Sequence, residues 1–298
     1  MTSIRLAADI GGTFTDIALE AGGQLHTAKI LTTPFEPAAA VIEGIRKVLL
    51  DASLAPQDVE IFVHGTTLAT NALIERKGAR TALLTTAGMR DSVEIAHENR
   101  FEQYDLAMVR PDPLVPRDLR IGIPERLASN GSVLQALDEA AVAAAVEKLK
   151  ASDIESVAVG FLHSYINSDH EVRTADLISA HWPEVSVSMS SDVCPEIREY
   201  ERFSTTCANA YIQPLVTKYL TDLEARRHSL GMKCPMLLMQ SGGGLGTLED
   251  ALKFPVRLVE SGPAGGALLS AEIARSFDIE KALSFDMGGT TAKLCIIN

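Results

Sequence analysis

"LAADIGGTFTDIAL", residues 6–19, sets two glycines, two threonines and two aspartates between short apolar runs, and "LSFDMGGTTAKLCII", residues 283–297, nearly repeats it. Asp9, Gly11, Gly12 and Thr13 correspond in order to Asp286, Gly288, Gly289 and Thr290. An apolar strand precedes each turn and another follows it. A Gly-Gly corner lets backbone amides point into a concavity that suits an anion. Threonine hydroxyls add donors toward phosphate oxygens, with Thr15 and Thr291 as further candidates. An aspartate beside a phosphate is repelled unless Mg²⁺ lies between them, held largely through its own waters. Asp9 and Asp286 are therefore the expected metal-facing carboxylates. One such turn alone reads equally well as an ordinary hairpin; its duplication argues for a shared task. Two turns facing each other across a cleft would hold one polyphosphate from both sides, and phosphoryl transfer consists largely of such positioning and charge neutralisation.

The composition sets the outer bounds. The 298 residues are 46% hydrophobic and 22% charged, enough apolar material for a sizeable core in one large or two ordinary domains. With 27 basic against 39 acidic residues the net charge is −12, which disfavours nucleic acid and anionic membranes as partners. No apolar run nears the roughly 18 residues that span a bilayer, and the chain starts directly in a strand-like stretch, so the expected location is cytoplasmic. Cys194, Cys207, Cys234 and Cys295 form no CxxC pair and read as reduced thiols. The seven histidines show no HxH or HExxH spacing.

Along the chain, strands alternate with helices. Ile4–Asp9, Ile17–Glu20 and Leu25–Ile30 read as a three-strand meander, and Pro37 opens a helix with Val41, Ile45, Val48 and Leu49 on one face. Strands follow at "VEIFVHG", "RTALLTT", "ESVAVGFLHS", "VSVSMS" and "PMLLMQ", with helices at 67–76, 138–150, about 197–230 and 262–277. Asn130-Gly131 marks a hairpin, and the prolines between 98 and 126 exclude regular helix there. The expected fold class is α/β with mixed sheets and helices on both faces.

Three further motifs sit at element ends. In "HGTTLATN", Thr66 or Thr67 caps a helix while His64 packs below it, or His64, Thr66 and Thr67 face the cleft as catalytic groups. In "PEIREYERFS", the charges form a solvated helix face, or Arg198 clamps a carboxylate or phosphate. "SGGGL" and "ESGPAGG" are packing glycines or a further anion site. Asp16 either holds the first turn together or faces the metal.

The doubled turn resembles the phosphate-1 and phosphate-2 loops of the actin-like ATPase and sugar kinase superfamily. The stretches 63–91, 190–214, "ESGPAGG" (260–266) and "FDMGGTTAK" (285–293) are similar to the hydantoinase/oxoprolinase family, A-type subunit, and the resemblance covers essentially the whole chain. It implies an N-terminal domain over 1–185 with the phosphate-1 loop, and over 190–298 the start of a second domain. That domain stops just past the phosphate-2 loop, so the second ATPase half is incomplete. A solitary strand after Lys293 would leave an unpaired sheet edge, and with the expected adenine pocket missing the chain alone is expected to bind ATP weakly and to aggregate readily. The resemblance also implies ATP and Mg²⁺ as cofactors. Asp9, Gly11, Gly12, Thr13, Thr15, Gly288, Gly289, Thr290 and Thr291 would hold the nucleotide. The implied reaction is ATP-dependent hydrolysis of a cyclic amide such as hydantoin, N-methylhydantoin or 5-oxoproline, with a B-type subunit or fused domain completing a hetero-oligomer. The alternatives are an acetone carboxylase-like ketone carboxylase subunit and a non-catalytic nucleotide-binding module. No residue reads as a convincing general base.

Overall fold

The opening strand alternates strictly, with Leu6, Ala8 and Ile10 buried and Ala7 and Asp9 outward, the period-2 signature of a strand with one covered face. The computed structural model describes residues 3–33, 35–97, 102, 104–287 and 292–298. In chain order the elements are β1 (Arg5–Ile10), β2 (Phe14–Ala21), β3 (Gln24–Leu31), α1 (Pro37–Asp51), β4 (Ile61–Thr66), α2 (Leu68–Ile74), β5 (Thr81–Thr86), α3 (Ser92–Ile95), β6 (Arg120–Ile123), β7 (Arg126–Leu127), β8 (Val133–Gln135) and α4 (Glu139–Lys150). They continue with β9 (Ser156–Gly160), α5 (Asp169–His181), β10 (Ser186–Met189), α6 (Ser190–Val193), α7 (Glu199–Ser229), β11 (Met236–Met239), β12 (Leu245–Thr247), α8 (Leu248–Lys253), α9 (Ser261–Ser276), β13 (Ala282–Met287) and β14 (Ala292–Ile297).

Contacts divide the chain into two compact units, Met1–Glu75 with Val216–Asn298, and Arg76–Leu215. The second unit is thus inserted in sequence between the two stretches of the first. The first unit holds a six-stranded sheet in the order β12-β11-β4-β1-β2-β3. The meander β1-β2-β3 is antiparallel, whereas β4 joins β1 in parallel and β11 joins β4 in parallel. The sheet is therefore mixed, as the opening hairpins require. Helix α1 starts with Pro at its first turn and buries Val41, Ile45, Val48 and Leu49. Its Gly44 leaves room for Ile17, whose Cγ1 would lie 2.4 Å from a Cβ at that position. The hairpin β13-β14 pairs only with itself among the described residues, and Leu283, Phe285, Met287, Leu294 and Ile296 are each at least 60% exposed.

The second unit is built on the all-parallel sheet β10-β9-β5-β6. Strands β5 and β9 are buried along their whole length, as covering on both faces demands. Helix α4 is capped by Asp138, whose carboxylate accepts the Ala141 N–H at 2.9 Å. The hairpin at Asn130-Gly131 forms, with Gly131 at φ 82°.

A buried charge ties the ends of these strands together. Arg202 is fully buried, donating to the Glu196 and Phe161 carbonyls at 2.7 and 3.0 Å between the rings of Tyr165 and Phe203. Glu171, also fully buried, accepts from Phe161 N–H, Ser190 hydroxyl and Ser191 N–H at 2.8, 2.6 and 2.8 Å. "PEIREYERFS" is thus not uniformly a solvated face. Removing one partner of a buried charge set leaves the other uncompensated. Glu171→Ala is expected to destabilise the protein by about 3–5 kcal/mol in urea unfolding; a loss below about 1 kcal/mol would show that Arg202 does not depend on it.

Candidate functional site

The first glycine turn closes as a hairpin. Gly11 N–H donates to Phe14 carbonyl at 2.9 Å, and Thr32 hydroxyl donates to Gly11 carbonyl at 3.0 Å. Neither Gly11 nor Gly12 has positive φ, so the turn is not a nest of alternating handedness. Gly11 allows the close approach of the Phe14 carbonyl, 3.2 Å from where a Cβ would stand, and Gly12 leaves surface bare. Among the described residues no acceptor reaches the N–H of Gly12 or Thr13 or the Thr13 hydroxyl, and both residues are exposed. These three donors are available to an anion. Thr15 is a correction: it is fully buried, and its hydroxyl bonds that of Thr32 at 3.0 Å inside the turn.

Asp9 stands on the outward face of β1, opposite Asp16 on β2 and Gly65 on β4. Its carboxyl lies over the bare Cα of Gly65, where a Cβ would come 2.7 Å from Asp9 Oδ1. Partial burial of the carboxyl, then repulsion from Asp16 and from Asp286, raises its pKa above the ordinary 3.8, with Lys29 opposing. Water on the open side screens these charges. Lys29 is already committed to Asp16 at 2.7 Å, so Asp16 holds the meander rather than standing free. Asp286, exposed on β13, is thus near enough to Asp9 for the two charges to repel. Gly288, Gly289, Thr290 and Thr291 lie outside the described residues.

The loop after β4 is stapled to the end of β1. Thr67 donates to the Ile10 carbonyl from both its N–H and its hydroxyl, at 3.0 and 3.2 Å, and Asn71 donates to that hydroxyl. Thr66, 2% exposed, accepts Leu68 N–H at the start of α2. Both threonines are engaged within the fold. His64 is a further correction: fully buried, it bonds the Ala8 carbonyl through Nδ1 at 3.0 Å and the Tyr219 hydroxyl through Nε2 at 2.7 Å, so it faces no cleft. The start of α9 docks on the same loop, with Glu260 N–H donating to Thr70 and the Ser261 hydroxyl to the Thr66 carbonyl. Lys293 pairs with Glu260 at 2.5 Å. Arg198 belongs to the other unit, exposed and at φ 87°, the left-handed region an arginine seldom enters. Tyr219 and the Lys293–Glu260 pair escaped sequence reasoning because their partners are distant in the chain and no local motif marks them.

Among the described residues no three His, Cys, Asp or Glu gather into a metal cage. Asp9 and Asp286, close enough for their charges to repel, are hard oxygen donors of the kind that suits Mg²⁺ retaining most of its waters. No helix of the described residues is long and apolar enough to cross a membrane.

The family profile described as hydantoinase/oxoprolinase N-terminal region matches residues 5–182, and the hydantoinase/oxoprolinase profile matches 202–298. The chain belongs to the hydantoinase/oxoprolinase family. This hydantoinase/oxoprolinase chain is 36% identical to the caprolactamase subunit alpha of Pseudomonas jessenii over 96% of its own length and 42% of that protein. It is 32% identical to the 5-oxoprolinase of Saccharomyces cerevisiae, over 97% of itself and 25% of that chain. The crystal structure of the ATP-dependent caprolactamase superposes with a TM-score of 0.84 at 34% identity, covering 98% of this chain and 43% of that one. The nucleotide-free acetone carboxylase structure superposes with 0.88 at 26%, covering 99% and 44%. The fold is that of the actin-like ATPase type, and the chain spans between a quarter and somewhat under half of these relatives' lengths.

An acid whose pKa is raised by folding holds its proton more tightly in the folded state, so its ionisation costs stability. That cost is absent in acid below the ordinary value of 3.8 and complete above the raised one. Asp9→Asn is therefore expected to raise Tm at pH 7 and to match the parent near pH 3. A parent at least as stable as Asp9→Asn at pH 7 would contradict the repulsion.

Proposed function

We propose that this chain holds the phosphates of ATP for the activation of a cyclic amide. The observation that supports it most is the approach of Asp9 and Asp286, from near opposite ends of the sequence, to repelling distance at the edge of a turn with free donors. A divalent cation held there through intervening waters would offset part of the combined charge of the carboxylates and the phosphate oxygens. The N–H groups of Gly12 and Thr13 and the Thr13 hydroxyl would hold the phosphates, with Gly288, Gly289, Thr290 and Thr291 as the sequence counterpart. Thr66 and Thr67 would keep the loop beneath Asp9 in place.

Amide resonance protects small-ring lactams and imides from water. Transfer of the γ-phosphoryl group to the carbonyl oxygen, with departure of ADP, opens the carbon to attack. Water addition, cleavage of the ring C–N bond and release of phosphate then complete ring opening. The hydrolytic step falls to a B-type companion subunit or domain, in keeping with the subunit naming of the caprolactamase relative. A ketone carboxylase subunit is the second reading, favoured by the superposition on acetone carboxylase.

The test is phosphate release from Mg-ATP by the whole gene product with its companion subunit. The candidate substrates are hydantoin, N-methylhydantoin, 5-oxoproline, caprolactam and, with bicarbonate, acetone. Stimulation by a cyclic amide, reduced at least a hundredfold or so in Asp9→Ala, is expected. Stimulation by ketone and bicarbonate alone would move the assignment to the carboxylase, and none at all would leave a binding module. A second prediction separates ligand from fold. A Cβ on Gly12 would meet Asn71 at an ordinary 3.6 Å, so Gly12→Ala should change folding stability by no more than about 0.5 kcal/mol. It should nonetheless weaken Mg-ATP binding about tenfold or more; unchanged binding by calorimetry would remove this turn from the site.

A further inference from the structure

His64 occupies an inward position of β4 directly opposite Ala8 of β1, with none of its surface exposed. A carbonyl oxygen can only accept, so the bond to Ala8 places the imidazole proton on Nδ1. Nε2 is then a bare acceptor, and leaving it unpaired in the core would cost a desolvation penalty. Tyr219, reaching in from α7, donates its hydroxyl to Nε2 at 2.7 Å with its ring tilted 43° to the imidazole. The chain of donors therefore runs one way, from Tyr219 through His64 to the Ala8 carbonyl.

Burial pushes the His64 pKa down to about 4 and raises that of Tyr219. Both groups stay neutral across the physiological range, so this pair neither accepts nor delivers a proton for chemistry. What it can do is hold. The Ala8 carbonyl and the Asp9 N–H belong to one rigid peptide plane, and fixing the carbonyl fixes the direction in which Asp9 leaves the strand. On the other face, the Asp9 carboxylate lies over the bare Cα of Gly65, so no side chain at that position fixes its direction.

We infer that Tyr219 is a positioning residue which, through His64 and the Ala8 carbonyl, holds the Asp9 carboxylate in the orientation that receives the phosphate-bound cation. The inference rests on the proposed nucleotide site. It gives the buried pair a task beyond filling the core: the hydroxyl could be removed with little loss of packing, yet the cation would lose an oriented ligand.

The test titrates binding of a non-hydrolysable ATP analogue against Mg²⁺ by calorimetry on the whole gene product. Tyr219→Phe, which keeps the ring, is expected to raise the Mg²⁺ concentration for half-maximal binding about tenfold, with metal-free analogue binding unchanged. His64→Asn, which keeps a donor toward Ala8 but breaks the link to Tyr219, is expected to do the same. In an Asp9→Asn background, Tyr219→Phe should add nothing. Unchanged Mg²⁺ dependence in Tyr219→Phe, or an equal further loss in the Asp9→Asn background, would overturn the positioning role while leaving the nucleotide site intact. Unchanged Mg²⁺ dependence in Asp9→Asn alone would overturn the cation assignment and this inference with it.

Discussion

The register between β1 and β4, which sets Ala8 against His64 and Asp9 against Gly65, is the constraint on which the candidate site depends. Successive residues of a strand face opposite ways, so a slip of one strand by one position would turn its side chains over. A slip of β4 would carry His64 to water, and one of β1 would carry Asp9 into the core. The burial of Leu6, Ala8 and Ile10 on one strand and of Phe62, His64 and Thr66 on the other excludes that slip. The same apolar rows that hold the sheet together thus aim the carboxylate outward. The turn at Gly11–Gly12 and the loop at Thr66–Thr67 are then both tied to the last residues of β1.

The two units stabilise the ends of their strands by different means. In the first, a neutral tyrosine–histidine pair satisfies the interior without introducing charge. In the second, Arg202 and Glu171 place opposite charges in the core and saturate them with backbone groups. A buried charge costs several kcal/mol unless its hydrogen-bonding capacity is filled. Glu171 meets that condition with three donors, and Arg202 with two carbonyls and two aromatic faces.

Much of this was legible in the sequence because it is local. The alternation in "IRLAADI", the Pro37 helix start and the Asn130-Gly131 turn each depend on residues within a few positions. The repetition of the aspartate–glycine–glycine–threonine turn singled out Asp9 and Asp286 for the same reason. What could not be read was which hydroxyls and nitrogens the fold itself consumes. Thr15 and Thr13 look alike in the string, yet strand phase sends one to Thr32 and leaves the other in water. His64 in "VHGTT" carries no mark of Tyr219, whose residue lies in a long helix 155 positions away. Helix α5 likewise carries little apolar periodicity in the string, because its buried face is built from His170, Glu171, Thr174 and Ile178.

Gly12 and Gly65 are empty for different reasons, and that difference outlasts any one ligand. A side chain at 65 would strike a carboxylate of the chain itself, whereas a Cβ at 12 would only touch the Asn71 amide at an ordinary contact distance. Evolutionary drift would treat the two accordingly. A descendant that no longer handled phosphate could fill position 12 at once, while position 65 would stay bare for as long as an aspartate stood at 9. The pair records, in two residues, whether a divergent copy has kept its chemistry or only its shape.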